Sequence, residues 1–236
     1  MSERFVEAFL LSPEKLVALA ATPAVGFAAI QKAIGKKQIF EDMVMTFGDG
    51  DEDEGLPIVE RGLDQLAAGK RPTVAYPERL TQLVLHAHAE PLKPAMMESN
   101  HMPASEDGFW NPAFAALGMK TIAKQWGTST LAFPNKRPSK GWGWPVLTLV
   151  EPASLSRWTA ELATPWRKKL ATLPNTTFDP DADDEAEDAF MSRAEVEGGI
   201  AVLEKWVRAA VKSTASKRKA VAASGNALVL ILDGDQ

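Results

Sequence analysis

Apolar residues recur every three or four positions along most of this chain, the rhythm of helices that bury one face. Four short runs break it. Thr128–Phe133 and Trp144–Val150 read as strands joined by a connector rich in Pro, Gly, Lys and Trp, which predicts the middle of a sheet there. Phe5–Leu11 (FVEAFLL) predicts a strand over 4–11. Ala227–Leu232 (ALVLIL), entered through the Ser224-Gly225-Asn226 turn, is uninterruptedly apolar and predicts a buried strand.

Between these runs, proline punctuates the helix starts. Ser12-Pro13-Glu14 supplies a cap, a first-turn proline and an acid that favours the dipole, so a helix is expected over 13–21. Thr22-Pro23 repeats the signal and predicts a helix to Gly35; Gln38–Phe47 follows with Ile39, Met43 and Phe47 in register. Pro57 opens a helix carrying Val59, Leu63 and Leu66 up to Gly69, and Pro77 opens one carrying Leu80, Leu83, Val84 and Ala87. Leu92–Gly108, full of Pro, Met, Ser, Asn and His, reads as a long loop. Asn111-Pro112 starts a short helix. Glu151-Pro152 starts one with Leu155, Trp158 and Leu162 on one side, and Thr164-Pro165 starts another through Leu173. Val196, Ile200, Leu203, Val207, Ala210 and Val211 form the longest stripe, interrupted at Gly198-Gly199. The pattern predicts a single α+β domain over 1–236. Its small mixed or antiparallel sheet includes the N- and C-terminal strands, several amphipathic helices pack on it, and an acidic linker lies at 177–188.

Composition narrows the chemistry. A chain of 236 residues buries a core without staples. There is no cysteine, which removes disulfides, thiolate catalysis and cysteine-held metals, and fits the cytoplasm. The net charge of −5 disfavours a general nucleic-acid or anionic-membrane binder. No apolar run approaches the ~20 residues of a membrane span. Glu3 and Glu7 interrupt the first apolar run, so the start does not read as a secretory signal.

Candidate sites each have a plain competitor. In the acidic turn 48–55, Asp49, Asp51, Asp53 and Glu60 take calcium-loop positions 1, 3, 5 and 12, but Glu54 stands where the loop needs glycine. A solvated acidic loop explains the same residues, and no metal or other cofactor is expected. His86 and His88 border opposite sides of one predicted apolar stripe, so they do not share an ion. Neither HExxH, GxSxG nor a glycine-rich phosphate loop occurs. An enzyme would need an unrecognised carboxylate or histidine site of hydrolase type. The connector brings Lys136, Arg137, Lys140, Trp142 and Trp144 together among prolines. Trp and Arg in one patch suit a protein interface; the plain alternative is that the tryptophans cover the core.

The ends of the chain carry a resemblance. An opening strand running into a Ser-Pro-Glu-started helix (FVEAFLLSPEKLVALA), the segment LPIVERGLDQLAAG and the close VAASGNALVLIL resemble the bacterial YfbM-like proteins, a family without an assigned activity. That likeness implies a cytosolic bacterial α+β domain and brings no catalytic residue with it. A small acidic protein without catalytic motifs is also similar in kind to bacterial immunity proteins. The expectation is therefore a non-enzymatic, cytoplasmic factor of the immunity or antitoxin kind. It would cover another protein, such as a toxin, through Arg137, Lys140, Trp142 and Trp144 and through Asp49, Asp51 and Asp53.

Overall fold

A computed structural model describes residues 4–12, 15, 18–19, 21–75, 77–99, 110–127, 146–173, 193–217 and 227–232. Its centre is the first strand, β1 (Arg4–Leu11), which pairs antiparallel with β2 (Glu90–Ser99) on one side and β4 (Ala227–Leu232) on the other. A further strand, β3 (Val146–Val150), pairs antiparallel with β4 and gives the order β2-β1-β4-β3. This is the α+β class expected, with both terminal strands inside the sheet.

Two expectations change. The middle of the sheet belongs to β1 and β4. The segment expected at the middle, Trp144–Val150, supplies the outer strand β3 of the described sheet; its expected partner, Thr128–Phe133, lies outside the described residues. The first part of the expected loop 92–108 is strand β2. Pro91 and Pro94 cannot donate to a ladder, so such a segment suits an outer position where one side needs no donors. Its pairing with β1 is irregular. Val6 faces Met96 and Ala8 faces Leu92, so Lys93, Pro94 and Ala95 bulge opposite Glu7.

β1 alternates, and the alternation sorts the helices into two layers. Val6, Ala8 and Leu10 join one core, and Phe9 and Leu11 join the other. The second core is covered by helices from the N-terminal part of the chain. After helical residues at Lys15, Ala18 and Leu19 and a 3-10 turn at Pro23–Val25 come α1 (Phe27–Ile34), α2 (Gln38–Phe47), α3 (Glu52–Ala67) and α4 (Pro77–His88). The helix expected over 23–35 is thus split at Gly26. The Phe27 N–H there receives its cap from Asp64 of α3, at 3.0 Å to Oδ1. Gly55 lets α3 lie against the Val44 carbonyl of α2, an approach that a Cβ would block.

The opposite face carries α5 (Trp110–Leu117), α6 (Lys120–Gln125), α7 (Pro152–Leu162), α8 (Trp166–Thr172) and α9 (Arg193–Lys217). Leu155, Trp158 and Leu162 of α7 are all buried, as the stripe predicts. So are Val196, Ile200, Leu203, Val207 and Ala210 of α9, while Val211 is exposed. Gly199 does not end α9. It clears space for the Trp110 indole, which would collide with any Cβ at that position. No described helix is long and apolar enough to cross a membrane.

Candidate functional site

Polar side chains inside the N-terminal layer converge on Glu7. The third residue of FVEAFLL points to the same face as Phe9 and Leu11, where a charged group needs partners. α4 provides them. This helix is buried around nearly its whole circumference: Arg79, Thr81 and Gln82 are buried along with Leu80, Leu83, Val84 and Leu85. The Gln82 side-chain amide donates to Glu7 Oε2 at 2.9 Å. His86 Nε2 lies 3.1 Å from the same oxygen and donates to it, because a carboxylate oxygen there can only accept. Gln82 and His86 are one helical turn apart, which is why both reach one atom. The His86 ring also meets Phe9 edge-on at 4.8 Å.

The site is sheltered, with relative side-chain exposures of 28% for Glu7 and 14% for His86. Burial pushes the Glu7 carboxyl upward. The His86 hydrogen bond and charge, the Gln82 amide and the Lys93 ammonium outweigh that effect and hold it below its ordinary value. Lys93 belongs to the bulge of β2 opposite Glu7. On the other side of that bulge, Trp206 of α9 donates its indole N–H to the Pro94 carbonyl at 3.1 Å. Chemically, the arrangement can orient an imidazole and keep one carboxylate ionised. Both groups are engaged with each other rather than aimed at a third group.

The histidine spacing behaves as expected. His86 reaches the sheet, whereas His88 Nε2 bonds the Ala24 carbonyl at 2.8 Å, so the two have separate partners. His101 lies outside the described residues.

At the far tip of the same layer, the acidic turn connects α2 to α3. The backbone turns through left-handed residues, Asp49 at φ 50° and Gly50 at φ 92°, and is tied by Gly50 N to the Met45 carbonyl at 2.8 Å. Asp51 is the N-cap of α3: its carboxylate accepts from Asp53 N at 2.8 Å and Glu54 N at 3.4 Å. Asp49, Glu52, Asp53 and Glu54 are exposed, and none of them forms an ion pair among the described residues. The helix begins at Glu52, five residues before the expected start at Pro57, because the Asp51 cap and three first-turn acids outweigh the one N–H that exposed Pro57 lacks. A calcium loop would need residues 52–60 in an irregular coil, and they are helical. Among the described residues, no group of three or more His, Asp and Glu is placed to hold a metal ion.

Of the residues expected at a partner surface, Asp49, Asp51 and Asp53 therefore come together at one helix start. Arg137, Lys140, Trp142 and Trp144 lie outside the described residues. Sequence reading passed over Glu7 and His86 as a pair. The signal was present: an acid at an inward position of an apolar strand demands a partner, but nothing in the sequence says which one.

No protein-family model, no curated protein and no solved structure matches the chain. The likeness of the terminal segments to YfbM-like proteins rests on the motifs quoted above alone.

Proposed function

We propose that the protein acts by binding another protein in the bacterial cytoplasm, in the manner of an immunity or antitoxin factor, and that its partner offers a basic surface. One observation carries this reading: the four carboxylates of Asp49, Glu52, Asp53 and Glu54 are presented to solvent on a capped, hydrogen-bonded helical hairpin. A charged group held on a rigid element loses little entropy when it meets a partner, and a cluster of one sign steers a partner of the other. The connector residues Arg137, Lys140, Trp142 and Trp144 supply the remaining part of this reading, as the contact area that would anchor such a complex.

Affinity capture from the native host, followed by association kinetics, tests it. A stoichiometric protein partner is expected, with an association rate that falls as salt shortens the screening length towards ~8 Å and below. Neutralising Glu52, Asp53 and Glu54 together (Glu52→Gln, Asp53→Asn, Glu54→Gln) should slow association about tenfold while leaving dissociation nearly unchanged. A partner whose association ignores both salt and these substitutions rules out the acidic cap as its docking surface.

A further inference from the structure

We propose that Glu7, Gln82 and His86 form an acid-releasable clamp that fixes the register of α4 on the sheet, so that docking of the N-terminal helical layer responds to pH. This inference stands apart from the binding reading and survives its failure.

The geometry is that of a fastening. Glu7 lies on β1, a central strand of the described sheet, and accepts from two donors on one face of a helix that also buries Leu80, Leu83, Val84 and Leu85. Apolar contact between helix and sheet is weakly directional, whereas two hydrogen bonds to one oxygen permit a single position of the helix. The far end of α4 is tied as well, because the Lys15 ammonium donates to the His88 carbonyl and His88 bonds Ala24. Sliding α4 by one turn would leave Glu7 with at most one of its two donors, because Gln82 and His86 are themselves one turn apart.

The charged groups around Glu7 all favour its ionised form. His86 faces it from α4 and Lys93 from the β2 bulge; Arg79 lies one turn before Gln82 on the same helix. β4, which pairs Ile231 with Glu7, contains no titratable residue. The folded carboxyl therefore titrates below its ordinary value of 4.5. The sign follows directly. The clamp contributes in full above that ordinary value, and its contribution is lost as pH falls through the lowered folded value. Protonation then puts a proton on the atom that two donors share, and one donor loses its acceptor.

Chemical unfolding of the full chain across pH 7 to pH 3 tests the clamp, with Glu7→Gln compared with the parent and with Glu90→Gln, an exposed carboxylate at the start of β2. At pH 7 the folding equilibrium of Glu7→Gln should be weaker by about tenfold, the worth of a sheltered hydrogen bond to a charged group. The two curves should converge in acid, while Glu90→Gln stays parallel to the parent throughout. Parallel curves for Glu7→Gln and the parent overturn the proposal. A second measurement needs no substitution: amide exchange of α4, corrected for the intrinsic effect of pH, should accelerate below pH 4.5 ahead of exchange in α9. Equal acceleration in both helices overturns the proposal too.

Discussion

Two helical layers grip the same four strands, and they do so with different side chains. The N-terminal layer is mostly aliphatic: around Phe9 and Leu11 it gathers Ile30, Ile34, Val59, Leu63, Leu66, Leu80 and Leu83 together with Phe40 and Met43, and no tryptophan. The C-terminal layer is built on indoles. Trp110, Trp126, Trp158, Trp166 and Trp206 are all buried, and Trp126 links Trp110, Phe114 and Trp158 into one cluster of rings 5.1–6.4 Å apart. Each choice has a structural consequence. Aliphatic helices come close where glycine permits, as Gly55 does against α2. Indoles fill more volume but bring a polar N–H into the core, which must be met. Trp158 donates to Gln125 Oε1 at 2.6 Å, and that amide in turn donates to Ser154; Trp166 donates to Glu204 at 3.0 Å. Part of the polar network of the C-terminal layer thus serves its tryptophans. In the N-terminal layer they converge on one carboxylate of the sheet.

The sharpest way to break the comparison is to hollow out each layer in turn. Trp158→Ala should destabilise the fold by about 3–5 kcal/mol, and Leu63→Ala, wholly buried in the other layer, by about 2–5 kcal/mol. Chemical denaturation measures both. If the layers fold as one cooperative unit through the shared sheet, each variant will still unfold in a single transition, monitored by tryptophan fluorescence and by far-ultraviolet dichroism. Separate transitions would show that the aliphatic and aromatic halves melt independently.

A finer test compares two indoles within the aromatic layer. Trp158→Phe and Trp126→Phe lose similar volume, but their N–H groups differ. Trp158 has Gln125 as its acceptor, whereas Trp126 Nε1 is buried with no partner among the described residues. Trp158→Phe strips Gln125 of its donor, so it should cost about 1–3 kcal/mol more than Trp126→Phe. Equal losses would mean that packing alone, and not the polar network, sets the energy of this layer.

How much of this was legible in the sequence depends on whether the deciding interaction is local. Helix starts such as Glu151-Pro152 and Pro77 are written in adjacent residues, and the helices begin there. The terminal strands are legible because FVEAFLL and ALVLIL suit a sheet buried on both faces. β2 was not, because Pro91, Pro94 and Met96 carry no strand signal by themselves; pairing with β1 makes them a strand. α6 is six residues long, too short to show a period, and its first N–H groups are capped from a distance. Glu161 of α7 accepts from Thr121 N at 2.7 Å and Ile122 N at 3.0 Å. The Glu7–His86 contact spans 79 positions, and no local pattern encodes it. The acidic turn was legible as exposed acid, though its role as the start of α3 was not.

That double role gives the smallest and most discriminating expectation. Asp51 spends its carboxylate on the backbone of Asp53 and Glu54, so Asp51→Ala should destabilise the protein by about 1 kcal/mol through loss of the cap. Asp53 makes no such bond with its side chain. It acts on α3 only through the helix dipole, and Asp53→Asn should cost about 0.3–1 kcal/mol, an effect that fades as salt is added. Thermal unfolding at low and high salt separates them: the loss in Asp51→Ala should persist and the loss in Asp53→Asn should shrink. The residual difference at high salt measures how much of the acidic tip is committed to holding the N-terminal layer together. What Asp53 does not contribute to the fold is the share of the tip that the proposed docking of a basic partner would draw on.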